Sequence, residues 1–60
     1  QLDLHKAIRQ LRLEYREVIW LYYLEGLSVT EISAVLGRNE NTIKTHLARG
    51  REKLRKYVED

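Results

Sequence analysis

Apolar residues recur along this chain at the three- and four-residue spacing of an amphipathic helix. Leu4, Ala7, Ile8 and Leu11 hold positions i, i+3, i+4 and i+7 behind Asp3, an acceptable N-cap, and predict a first helix over residues 3–11. Tyr15, Val18, Ile19 and Tyr22 repeat the template and predict a second helix over residues 13–25, ending at Gly26, where a left-handed residue costs glycine nothing. Arg12-Leu13-Glu14 holds neither a cap nor a proline. One long helix, with Leu4, Ile8, Leu11, Tyr15, Val18 and Tyr22 as a coiled-coil seam, is the alternative; two helices are favoured because the seam spans fewer than three heptads. Ser28-Val29-Thr30-Glu31 is an S-x-x-E capping box that starts a third helix, with Val29, Ile32, Val35 and Leu36 inward and Gly37 at its end. Asn39 then caps a fourth helix that runs to about Tyr57.

The pattern predicts an all-α, four-helix domain with a C-terminal helix-turn-helix over about residues 28–57 and no winged elements. On a wheel at about 100° per residue, Ile43, Leu47, Leu54 and Val58 share one face of the last helix with Gly50. Asn41, Lys44, Thr45, Ala48, Arg49, Arg51 and Glu52 share the other. Long cations suit phosphates or guanine edges, amides and hydroxyls suit base edges, and a small residue such as Ala48 lets a helix approach closely.

Charge sharpens this reading. Residues 38–56 carry seven cations and two carboxylates, whereas residues 1–37 carry four cations and five carboxylates. A basic element on a near-neutral body is the footprint of a protein that presents one helix to phosphates. Arg38, in the turn, either meets a phosphate or is simply solvated. His46 reads as a flanking polar residue or weak phosphate contact.

Composition excludes other classes. Sixty residues leave room for one small core, taken as a single domain over 1–60, and make an enzyme improbable. The chain has no cysteine, and its two histidines, His5 and His46, are too few for a structural zinc site. Neither a Ser/His/Asp arrangement nor a glycine-rich phosphate loop occurs; Glu14, Glu17 and Glu25 with Arg16 read as surface ion pairs. No catalytic residue, metal or cofactor is expected. The longest apolar run, Val18–Leu24, has seven residues against the roughly 20 of a bilayer helix, and no signal-peptide pattern opens the chain, so a cytoplasmic domain without a membrane partner is expected. That run is apolar nearly all round a helix, which a body this small cannot fully cover. Core packing is its default role, with part of Trp20, Leu21 and Tyr23 left at the surface as a candidate protein-docking patch.

Tyr15-Arg16-Glu17-Val18-Ile19, Tyr23-Leu24-Glu25-Gly26-Leu27-Ser28, Glu31-Ile32, Leu36-Gly37, Thr42-Ile43-Lys44-Thr45-His46-Leu47 and Arg49-Gly50-Arg51-Glu52-Lys53-Leu54 together resemble the fourth conserved region of bacterial sigma factors, in particular the extracytoplasmic-function group, over residues 11–55. The resemblance implies a helical domain whose final helix enters the major groove of the −35 promoter element. It also implies docking of the other helices on the flap of the RNA polymerase β subunit, and sequestration by an anti-sigma protein. By the same resemblance Lys44, Thr45 and Ala48 face bases, while Thr42, Arg49 and Arg51 make phosphate or flanking contacts. The chain departs from the family pattern at Arg12, where a proline is usual, and at Arg38, where an apolar residue is usual. The region that binds the −10 element is missing, so a fragment of a longer chain is expected. Thr42–Leu47 is also similar to the recognition helix of LuxR-type response regulators. There a short apolar helix follows, whereas here the helix stays basic through Lys56, which favours the sigma resemblance.

Overall fold

The computed structural model describes residues 4–57 and, of Val58, the backbone but not the side chain. The order is α1 (Leu4–Arg9), α2 (Leu13–Ile19) running directly into a π-helical turn (Trp20–Leu24), α3 (Val29–Leu36) and α4 (Glu40–Val58). Among the described residues there is no strand. The expected cap Asp3 lies outside the described residues.

α1 and α2 are separate helices. The end of α1 tightens as the Gln10 and Leu11 N–H groups donate to the Ala7 and Ile8 carbonyls at 3.1 and 3.0 Å, a three-residue span. Arg12 then turns extended, with φ −61° and ψ 155°. That φ lies within the range to which proline is locked, so the arginine holds a backbone angle that a proline here would also take, and the helix breaks without one. Its carbonyl receives the Tyr15 and Arg16 N–H groups and begins α2 without a side-chain cap. The break lets Ile8 and Leu11 fold back into one core with Tyr15, Val18, Ile19, Ile32, Ile43 and Leu47.

The second helix was expected to stay α-helical to residue 25, and its last turn does not. The Glu25 N–H donates to the Trp20 carbonyl at 3.1 Å, a five-residue span, and the Leu27 N–H to the Leu21 carbonyl at 3.0 Å. Gly26, at φ +76°, closes the turn. No residue of Trp20–Leu24 is fully buried; Tyr22 and Tyr23 are exposed, as an all-apolar segment on a small body requires.

Ser28 and Glu31 form the reciprocal capping box: the Glu31 N–H donates to Ser28 Oγ at 3.1 Å and the Ser28 N–H to Glu31 Oε1 at 2.8 Å. α3 ends at Gly37, φ +67°, where the Gly37 and Arg38 N–H groups both donate to the Ser33 carbonyl. The inward face needs one correction. Ile32 is fully buried and Val29 and Leu36 are half-buried, but Val35 is 63% exposed. Val35 lies about 60° from Ile32 around the helix, on the flank facing a groove that no element covers.

On α4, Ile43, Leu47 and Gly50 are buried, Leu54 is half-buried, and the Val58 side chain lies outside the described residues. Gly50 does not break the helix. A Cβ there would lie 2.7 Å from Ile19 Cγ1 and 3.0 Å from Ile19 Cδ1, so the glycine allows α4 its close approach to α2.

Candidate nucleic-acid interface

The turn that aims α4 is built from local hydrogen bonds and one ion pair. Asn39 Oδ1 accepts the Asn41 N–H at 2.7 Å and caps α4. Ser33 Oγ donates to the Arg38 carbonyl, fixing the turn from the α3 side. The Arg38 guanidinium reaches back to α2, where Nη2 meets Glu17 Oε1 at 2.8 Å, with both side chains about two-thirds covered. Its Nη1 is buried with no hydrogen-bond partner among the described residues. Arg38 is therefore neither freely solvated nor an open cation. Its charge is matched by Glu17, and the pair ties the turn to α2.

Beyond the turn, Asn41, Lys44, Thr45, Ala48, Arg49, Arg51 and Glu52 are all exposed, as the wheel placed them, and so is Thr42, which only the family resemblance had brought to the interface. Thr45 Oγ1 donates to the Asn41 carbonyl at 3.0 Å, which leaves the hydroxyl oxygen free to accept. Lys44, Thr45 and Ala48 form the outer surface of the first turns, with Arg49 and Arg51 further along. Arg51 differs from Lys44 and Arg49 in having a partner from another element, since its Nη1 donates to the Tyr23 hydroxyl at 2.9 Å. His46 is not a flanking surface residue. It is half-buried, its ring packs T-shaped against that of Tyr15 with centres 5.6 Å apart and planes at 81°, and its Nδ1 is covered. Lys53 stands over the other part of this contact, 5.7 Å from the Tyr15 ring centre.

The three residues expected to dock a protein are divided. Trp20 and Leu21 line a groove of about 430 Å³ between α2 and α3 with Leu13, Val35 and Leu36, and Arg16 and Glu17 lie on its edge. Tyr23 lines a second groove, of about 350 Å³, with Leu4, Ile8, Ile19 and Leu54, bordered by Arg51 and Arg55. Sequence reasoning missed Glu17 as the partner of Arg38 and Tyr23 as that of Arg51. These pairs lie 21 and 28 positions apart, beyond the reach of any local pattern. Among the described residues, no three acidic, histidine or cysteine side chains gather to hold a metal, and no helix is long and apolar enough to cross a membrane.

The model of sigma-70 region 4 matches residues 1–54 of this sequence. The chain belongs to the sigma-70 region 4 family. Its relatives make it a region 4 domain of the extracytoplasmic-function type. It is 43% identical to the ECF RNA polymerase sigma factor SigW of Bacillus subtilis, with 98% of this chain and 34% of SigW aligned. It is 40% identical to the RNA polymerase sigma factor SigV of the same organism, with 88% of this chain and 32% of SigV aligned. A chain in the solved structure of the RsbN–BldN complex superimposes with a TM-score of 0.85 at 39% identity, over 90% of this domain and 39% of that chain. The region 4 domain thus spans about a third of the length of these relatives.

Proposed function

We propose that this region 4 domain recognises the −35 element of promoter DNA through the outer face of α4 and brings that DNA to RNA polymerase, without catalysis of its own and in the cytoplasm. The observation that carries the reading is the face itself: Asn41, Lys44, Thr45 and Ala48 lie exposed behind a turn pinned at Asn39 and Arg38. A recognition helix inserts its N-terminal residues most deeply, so Lys44, Thr45 and Ala48 read base edges, with Asn41 beside them. Thr42, Arg49 and Arg51 contact flanking phosphates. Arg38 serves the same interface indirectly, by holding the turn against Glu17. Trp20 and Leu21, in the apolar groove between α2 and α3, take a protein partner: the flap of the polymerase β subunit, or an anti-sigma protein that competes for it. A structurally similar chain was solved in complex with a second protein, which supports partner binding by this fold.

The test is a competition titration against a randomised duplex at several salt concentrations. Lys44→Ala should cost about 1–3 kcal/mol on the preferred site and flatten preference at one or two base pairs. Arg49→Ala should weaken all duplexes alike and make the slope of log affinity against log salt shallower by about one unit. Loss of preference in Arg49→Ala with uniform weakening in Lys44→Ala would reverse the two roles. If neither variant alters binding, α4 is not the reader.

A further inference from the structure

We propose that Tyr23 is a positioning residue for DNA binding: its hydroxyl holds the Arg51 guanidinium beside α4, so a residue of the π-helical turn sets the strength of a phosphate contact made from another element. This rests on the reading of α4 as the DNA-binding helix. Two arginines near the interface are held across the fold, and their acceptors differ in charge. Arg38 is held by the carboxylate of Glu17, which cancels its charge. Arg51 is held by a phenol hydroxyl at 2.9 Å, a neutral acceptor that fixes the side chain and leaves the charge intact. One of the five guanidinium N–H groups is used and four remain for phosphate oxygens. A long exposed side chain otherwise loses its rotamer freedom when it binds, and prior anchoring removes part of that loss.

Tyr23 is itself anchored. Its ring stands edge-on to Tyr22, 4.9 Å between centres and at 77°, and forms a wall of the groove with Ile8, Ile19 and Leu54. Tyr23 is nonetheless 48% exposed, so its hydroxyl is open to substitution without disturbing the core. The consequence departs from the sequence expectation of separate surfaces, in which Tyr23 served protein docking and Arg51 served DNA. Here the two side chains act as one unit.

The experiment titrates the chain, Tyr23→Phe, Arg51→Ala and the double variant by fluorescence anisotropy. The probes are a duplex selected by the parent from a randomised pool and a scrambled duplex of equal length, at several salt concentrations. Tyr23→Phe keeps the ring and its packing, and melting by circular dichroism should match the parent. It should weaken both duplexes alike by about three- to tenfold, the range of the ordering cost of one long side chain on binding. Arg51→Ala should weaken both at least as much, with a salt slope shallower by about one unit. The double variant should bind no more weakly than Arg51→Ala alone. Unchanged affinity in Tyr23→Phe overturns the proposal, as does a loss that persists undiminished in the Arg51→Ala background. Should Lys44→Ala and Arg51→Ala both bind like the parent, the DNA reading of α4 fails first and takes this proposal with it.

Discussion

Gly50→Ala tests how closely α4 lies on α2, because the two contributions to its effect have opposite signs. In an exposed helix interior the change stabilises by about 1 kcal/mol, since glycine is the poorer helix former. At position 50 the new methyl would lie 2.7 Å from Ile19 Cγ1, 3.0 Å from Cδ1 and 3.6 Å from Tyr15 Cβ. The first distance is roughly 1 Å inside the optimum of about 3.5–4.0 Å for two carbons. Ile19 is fully buried, and Cγ1 is bonded directly to its branched Cβ, so it is not the free end of a flexible chain. Overpacking costs about 1–3 kcal/mol, and this geometry belongs to the upper half of that range. The net expectation is a loss of about 1–2 kcal/mol, or on the order of 5–15 °C in Tm for a domain of this size. Thermal and urea melts followed by circular dichroism at 222 nm read it directly. Adding Ile19→Ala makes room for the methyl, so the double variant should be less destabilised than the sum of the single changes. A Gly50→Ala domain that melts above the parent would refute the close approach.

Two further outcomes probe the packing and the turn. Leu47→Ala, at a position 3% exposed, should cost about 2–4 kcal/mol, whereas Val35→Ala, at 63% exposure, should stay within about 0.5 kcal/mol; equal losses in urea melts would mean that α3 is rotated from its described orientation. A double-mutant cycle of Glu17→Gln and Arg38→Met should give a coupling of up to about 1 kcal/mol that shrinks at high salt, because both side chains keep about a third of their exposure; zero coupling at low salt would show that the turn does not depend on this pair.

Features decided within a few residues were legible in the sequence. The capping box at Ser28 and Glu31, the left-handed glycines at 26 and 37 and the cap at Asn39 each follow from side-chain chemistry acting on nearby backbone, and each is formed. The break before α2 was not legible: the apolar spacing suits one long helix as well as two, and Arg12 supplies neither a cap nor a proline to mark the extended residue that separates them. Nor was the π-helical turn. A five-residue hydrogen bond and a four-residue one suit the same apolar run, and no side chain in Trp20–Leu24 distinguishes them. Val35 was misplaced because a wheel identifies the inward half of a helix but not which flank its neighbours leave uncovered. His46 was read as a surface residue because its place against Tyr15 depends on how α4 crosses α2.

The outer face of α4 was legible because exposure follows from period alone, and every residue assigned to it is exposed. Its electrostatics were not, because seven cations counted between residues 38 and 56 are not equivalent in the fold. Arg38 is neutralised by Glu17, Lys53 stands over the Tyr15 ring, Arg55 lies 3.9 Å from Glu52, and Arg51 is held by a neutral hydroxyl. Three of these partners belong to the continuous segment formed by α2 and its π-helical turn, which also carries Trp20 and Leu21 in the apolar groove. Glu17 lies on the edge of that groove, one turn of helix before Leu21, and holds Arg38 in the turn that aims α4. A protein seated in the groove would therefore cover the same segment that fixes α4, the helix proposed to read DNA. On the proposed DNA reading of α4, any change it made in the Glu17–Arg38 pair would by linkage alter DNA affinity, and bound DNA would alter the partner's affinity by the same factor.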